Sequence, residues 1–150
     1  MTKADQAIAM HTAGSSCSQA VFGVFAEDLG LDPATAHKLS TGLGGGIGRM
    51  GLTCGVISGG VLALSLKHGN PDAVDQAAKL ETYERCSAFI TAMQSKFGST
   101  ECRTLLNGAD LWTEEGRAKV KEHDLTNKVC NAMIAEAVNY LESALQIEQN

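Results

Sequence analysis

The stretch TCGVISGGVLALSLKHG, residues 53–69, decides the fold class. Val61 to Leu66 is apolar enough for a buried strand, but it lacks strand alternation and the run is too long for one. It reads as an apolar helix from Cys54 to His68, closed by Gly69. The same periodicity extends in both directions. Upstream, Lys3 to His11 forms a first helix that ends near Gly14. Ser15 or Ser16 caps a second, with Cys17 in its first turn, Val21, Val24, Phe25 and Leu29 at helical spacing, and Gly30 as its stop. Asp32 and Pro33 make an N-cap and N1 pair for a short helix that reaches Thr41. Downstream, Asp72 to Lys96 carries Leu80, Tyr83, Phe89, Ile90, Met93 and Phe97, and Gly98 ends it. Ser99 caps the turn that holds Cys102, and a last helix from Thr126 to Ile147 carries Val129, Met133, Ala137, Tyr140, Leu141 and Leu145. The expected architecture is all-α: one domain over residues 1–150, a bundle of about five to seven helices with a glycine-rich inter-helix loop. Trp112, in the irregular stretch from Ala109 to Glu115, is expected to pack a loop against the bundle.

Composition narrows the function classes. Apolar residues make up 44% of the 150, which argues for a packed core over disorder. Lys and Arg number 12 against 17 Asp and Glu, for a net charge of -5, so a nucleic-acid partner is not expected. The one basic segment, KVKEH at 119–123, is short and carries its own glutamate. MTKADQAIAMHTAG has no basic segment leading into an apolar core, and the longest apolar run, Leu52 to Leu66, falls short of the roughly 20 residues that span a bilayer. A cytoplasmic protein with no membrane partner is the expectation.

The glycine-rich loop from Ser40 to Gly60 contains a GxGxxG at Gly46, Gly48 and Gly51. A dinucleotide loop needs a strand before it and an acid about 20 residues on; neither is present, and there is no GxxxxGK[ST], so no nucleotide is expected. Glycine's physical uses are positive φ and close backbone approach. Two readings remain open: a close helix crossing, or a bare wall around a group beside Cys54, in which Gly51 and Gly55 would take part. Arg49 is the loop's one charge, placed to hold an anion or to face water.

Five cysteines carry the chemistry: Cys17, Cys54, Cys86, Cys102 and Cys130. An odd count without any CxxC argues against a disulfide framework, a zinc ribbon and a thioredoxin-type dithiol. Cys17, Cys54, Cys102 and Cys130 each fall in or near the first turn of an expected helix, where unpaired N–H groups favour thiolate. Thiolate serves metal ligation, disulfide exchange or nucleophilic attack. Cys86 falls inside the long helix and is assigned to the core. The histidines, His11, His37, His68 and His123, are scattered without HExxH or ligand spacing and read as surface or helix-end groups.

CSQAVFGVFAEDLGLD at 17–32, TGLGGGIGRMGLTCGVISGGVLALSLKHG at 41–69, FGSTECRTLLNGAD at 97–110 and then Cys130 resemble the C_GCAxxG_C_C family of redox-active proteins. The likeness runs from Ala7 to Leu141, and the family's cysteines fall on Cys17, Cys54, Cys102 and Cys130. Its Gly-Cys-Ala-x-x-Gly element is represented by TCGVISG, with Thr53 before the cysteine and Gly55 after it. The family is also similar to the cluster-bearing part of the split-Soret cytochromes; the chain has no CxxCH, so no haem is implied. The resemblance implies an iron–sulfur site on the four cysteines, with [2Fe-2S] expected, for electron transfer or redox sensing with a partner protein. Cys17, Cys54, Cys102 and Cys130 would be the metal ligands, with Gly51 and Gly55 beside the cofactor. Zinc at the same thiols, thiol–disulfide exchange by paired cysteines, and a non-catalytic helical module are the alternatives. A homodimer is compatible with a small helical protein.

Overall fold

A computed structural model describes residues 1–147. Among them the chain forms eight α-helices and no β-sheet, in one helical bundle: α1 Lys3–Thr12, α2 Cys17–Gly23, α3 Pro33–Leu39, α4 Gly55–His68, α5 Gln76–Phe97, α6 Cys102–Leu105, α7 Glu114–Glu122 and α8 Ala132–Ala144. A 3-10 turn, Thr41–Leu43, follows α3, and a π-helical turn, Thr126–Asn131, leads into α8.

Caps set most of the boundaries. Thr2 and Asp5 form a capping box on α1, Ser16 and Gln19 another on α2, and Asp32 caps α3 with Pro33 at N1. Asp75 caps α5, and Gly98 ends it in the left-handed conformation. The 53–69 segment is the expected helix, with Cys54 itself as N-cap residue.

Four expectations shift. The second helix stops at Gly23, because residues 24–30 tighten into i→i−3 turns, with Phe25 N–H bonded to Phe22 O and Ala26 N–H to Gly23 O. Ser99 accepts from Glu101 N–H and caps a turn, while α6 starts beyond Glu101 with no side-chain cap. Glu114 and Glu115 open a separate helix, α7, capped by Thr113. Trp112 is 61% exposed and does not pack a loop against the bundle; its ring lies beside Arg49 instead, 6.0 Å from the guanidinium carbon.

The main core joins α2, α4, α5 and α8 through Phe22, Phe25, Ile57, Leu64, Phe89, Met93, Met133, Ile134 and Leu141, with α1 laid over α8 and α2. Crossing distances are set by glycine. A Cβ at Gly59 would stand 2.8 Å from the carbonyl oxygen of Ser18, so α4 approaches α2 backbone to backbone there. Gly60 instead makes room for the Phe89 side chain of α5, whose ring a Cβ there would strike. Cys102, Leu106, Ala109 and Leu125 form a second, smaller apolar cluster. No helix among the described residues is long and apolar enough to cross a membrane.

Candidate functional site

The seam between the two apolar clusters is where the cysteines meet. Cys54 belongs to the main cluster and Cys17 packs against it; Cys102 belongs to the smaller one and Cys130 packs against that. All four line one cavity of about 200 Å3, together with His11, Gly45, Gly55, Leu105, Leu106 and Val129 among others.

Three local structures put them there. The Ser16 cap starts α2 at Cys17, and Gly55 lets the start of α4 close on it: a Cβ at Gly55 would lie 2.8 Å from Ser18 N and 3.2 Å from Cys17 Cβ. Residues 51–54 and 100–103 run antiparallel, tied by Cys54 N–H to Thr100 O (2.8 Å), Cys102 N–H to Leu52 O (2.7 Å) and Arg103 N–H to Gly51 O (3.1 Å). Those bonds set Cys54 and Cys102 side by side. The third is the π-helical turn ahead of α8, which carries Cys130 to the cavity lining and Asn131 to the His11 ring.

The glycine loop closes over this seam. Residues 45–49 all adopt left-handed φ, from 58° to 73°, including Ile47 and Arg49. Each non-glycine residue so placed costs about 1–2 kcal/mol. Gly46 explains the path, since a Cβ there would lie 2.7 Å from Cys102 Cβ. Gly55 and Gly59 serve the α2–α4 crossing, while Gly45 and Gly55 lie in the cavity lining. Gly51 lies outside the cavity lining and packs against Arg103.

The metal expectation is overturned. Among the described residues, no group of three or more His, Cys, Asp or Glu side chains is arranged to hold a metal ion. Cys17, Cys54, Cys102 and Cys130 line one cavity without forming such a group, so they fit neither the implied iron–sulfur cluster nor zinc. All five cysteines are free thiols. The electrostatics also depart from the helix-start argument. Burial pushes Cys54 up to about 12 against the backbone N–H groups of Val56 and Ile57, and Cys102 up to about 11. A helix N-terminus contributes about 0.3–1 kcal/mol, less than one pKa unit, whereas burial of a thiol reaches several units. Desolvation wins.

Cys17 and Cys130 behave as a pair. The Cys17 thiol hydrogen-bonds Cys130, which holds Cys130 below the ordinary thiol value and raises Cys17 well above it. Cys130 is thus the more acidic thiol of the two. Cys86, partly buried on α5, is outside the cavity, as its core assignment requires.

A histidine completes the arrangement. His11, on the last turn of α1, places Nε2 3.6 Å from Cys17 Sγ, and its Nδ1 is 2.9 Å from Asn131 Oδ1. Asn131 Nδ2 donates to Asn127 Oδ1 (2.8 Å), and Asn127 Nδ2 donates to Asp124 Oδ1 (2.8 Å). With Asn131 Oδ1 accepting, Nδ1 carries the proton and Nε2 turns its lone pair to the thiol. The sequence reads His11 as a surface or helix-end group; it does lie in the last turn of α1, but its approach to Cys17 was not foreseen. The signal that could have found it is Asp124, Asn127 and Asn131 at helical spacing beside Cys130.

The model of the family described as "Putative redox-active protein (C_GCAxxG_C_C)" matches residues 15–144. The chain belongs to this family. No curated protein and no solved structure matches the chain. The family match spans α2 to α8 and all four cavity cysteines, while α1, which supplies His11, precedes it.

Proposed function

We propose that this family member is a thiol–disulfide oxidoreductase whose exchanging pair is Cys17 and Cys130. The observation that carries the reading is that Cys17 and Cys130 line one cavity and shift each other's acidity in opposite directions, with His11 Nε2 3.6 Å from Cys17 Sγ. Cys130 attacks one sulfur of a disulfide RS–SR, forming a mixed disulfide and expelling one thiolate. His11 Nε2 accepts the proton of Cys17, whose sulfur then attacks Cys130, closes the Cys17–Cys130 bond and expels the second thiolate. The Cys17 proton passes through His11 to one leaving sulfur, and the other takes a proton from water, replacing the one Cys130 gave up on ionising. The two protein sulfurs are thus oxidised as one disulfide is reduced to two thiols. Cys54 and Cys102, raised by burial, remain thiols throughout and close the apolar back of the cavity. A redox partner protein or a small thiol would reset the pair.

The test is mass spectrometry after oxidation of the reduced protein by 2-hydroxyethyl disulfide. The reading expects a loss of two hydrogens and a peptide link joining Cys17 to Cys130, with Cys17→Ser trapping a mixed disulfide on Cys130. Five thiols that survive oxidation would overturn it, and so would a link between any other pair. Stoichiometric iron and acid-labile sulfide in protein purified without oxygen would overturn it as well.

A further inference from the structure

A second cavity adjoins the thiol cavity. It measures about 490 Å3 and is lined by Ser16, Thr41, Gly44, Gly48, Arg49, Trp112 and Arg117 among others. Ser16, Gly45 and Leu111 line both cavities, so the two share one wall, and Gly45 leaves part of it without a side chain.

The chemistry of this vestibule is out of keeping with the rest of the chain. The protein carries a net charge of -5, yet the vestibule presents two guanidinium groups and no carboxylate. Among the described residues, Lys3, Arg85, Lys96, Arg103 and Lys119 are in ion pairs, whereas neither Arg49 nor Arg117 is within reach of a carboxylate. Arg117 Nη1 donates to Leu111 O at 2.8 Å, which anchors that side chain and leaves its remaining N–H groups to the cavity. Arg49 stacks on Trp112, with 6.0 Å between the guanidinium carbon and the ring centroid, an arrangement that leaves the in-plane N–H groups of the fork free. The chain accepts left-handed φ at Arg49 (63°) to present this side chain. An exposed indole, held by an arginine and not by the core, supplies an apolar floor.

We infer that the vestibule of Arg49, Trp112 and Arg117 is the binding site for a small disulfide that carries carboxylates, and that it delivers the sulfur–sulfur bond to the adjoining thiol cavity. The inference rests on the disulfide-exchange reading for its reaction and on the vestibule alone for its binding. A carboxylate meets two guanidinium forks, and the short carbon chain lies on the indole. The exchange itself is balanced as above: the bound disulfide is reduced to two thiols and the Cys17–Cys130 bond forms.

Two experiments separate binding from reaction. In the first, thiodiglycolate, a dicarboxylate with a thioether that cannot exchange, is titrated into the full chain and followed by the fluorescence of Trp112, the single tryptophan. Saturable binding is expected in the native protein and in Cys17→Ser/Cys130→Ser alike. It should be weakened about ten-fold in Arg49→Ala and should weaken with added salt. Lys121→Ala, on the exposed side of α7, should bind as the native protein does. Absence of binding, or binding indifferent to Arg49, overturns the inference.

The second compares oxidation of the reduced protein by three disulfides that differ in charge: dithiodiglycolate, 2-hydroxyethyl disulfide and cystamine. With each rate divided by that for a free small thiol, the dianion should lead the neutral compound about ten-fold and the dication should trail both. Arg49→Ala should collapse that order. Oxidation without charge preference overturns the vestibule while the exchange reading stands. Thiodiglycolate binding with no oxidation by any of the three supports the vestibule and removes the exchange reading.

Discussion

Cys17 Sγ lies 3.6 Å from His11 Nε2, across the junction where α1 ends and α2 begins. The ring is oriented from the far side of the chain, by Asn131. His11→Gln removes the proton acceptor and keeps a polar side chain of similar reach. Oxidation by 2-hydroxyethyl disulfide should slow about 10²-fold, the scale of general-base assistance. Asn131→Ala should slow it less, because the base remains and only its orientation is lost. Stopped-flow rates across pH decide the matter, with Cys86→Ser as the control expected to match the native protein. An unchanged rate in His11→Gln would take the histidine out of the chemistry.

The thiols should differ sharply toward iodoacetamide. Cys130, lowered by its side-chain hydrogen bond with Cys17, should be alkylated first at neutral pH. Cys54 and Cys102, at about 12 and about 11, should react only after unfolding. In Cys17→Ala, Cys130 loses the hydrogen bond that favours its thiolate, so its alkylation profile should move to higher pH. Peptide mass mapping against time and pH reads all four sites. Equal labelling of the four would contradict the pairing.

Alkaline stability follows from the same burial. The folded-state values of Cys54 and Cys102 lie above the unfolded value, so both groups bind protons more tightly when the chain is folded. Their contribution is complete below about pH 8.5 and is lost as pH rises toward about 11 and 12. Each adds a slope of up to about 1.4 kcal/mol per pH unit in that window. Thermal unfolding should show a steep fall in Tm above pH 8.5. Cys54→Ala should flatten that fall, whatever the substitution does to stability at neutral pH.

Gly59 is the tightest test of the bundle geometry. Alanine is the better helix former by about 1 kcal/mol, but its Cβ would stand 2.8 Å from a backbone carbonyl oxygen of α2 that cannot swing aside. Overpacking of that kind costs about 1–3 kcal/mol, so Gly59→Ala should lower stability or leave no gain in urea unfolding. A clear stabilisation would mean that α2 and α4 are further apart. Because α2 carries Cys17 and α4 starts at Cys54, the same variant should also disturb thiol exchange.

Much of the fold was legible because its boundaries are local. A cap acts over three residues and a glycine stop over one turn, so Ser16, Asp32 with Pro33, Gly69 and Gly98 could be read where they stand. The apolar helix at 53–69 was readable from its length, its lack of strand alternation and the Gly69 stop. Legibility failed where a neighbour overrode local pattern. Trp112 looks like core in the chain and is exposed in space, since its partner is Arg49, far away in sequence. Leu80 and Tyr83 keep helical spacing on α5 yet face outward, because the bundle covers only the part of that helix that carries Phe89 and Met93. The π-helical turn has no signature in a period count, and it sets where Cys130 and Asn131 point.

The same division runs through the site. The chain alone picked out Cys17, Cys54, Cys102 and Cys130 and set Cys86 aside, because helix starts and glycines mark those positions locally. Their chemistry was not contained in that pattern. Helix starts argue for four low-pKa ligands; the folded protein buries Cys54 and Cys102 as thiols, leaves no metal-holding group among the described residues, and pairs Cys17 with Cys130 beside His11. The physical reason is range. Capping and periodicity act between residues a few positions apart, whereas desolvation and sulfur–sulfur contact depend on which distant segments pack together, and Cys17 and Cys130 meet only once α2 and the turn before α8 share a core.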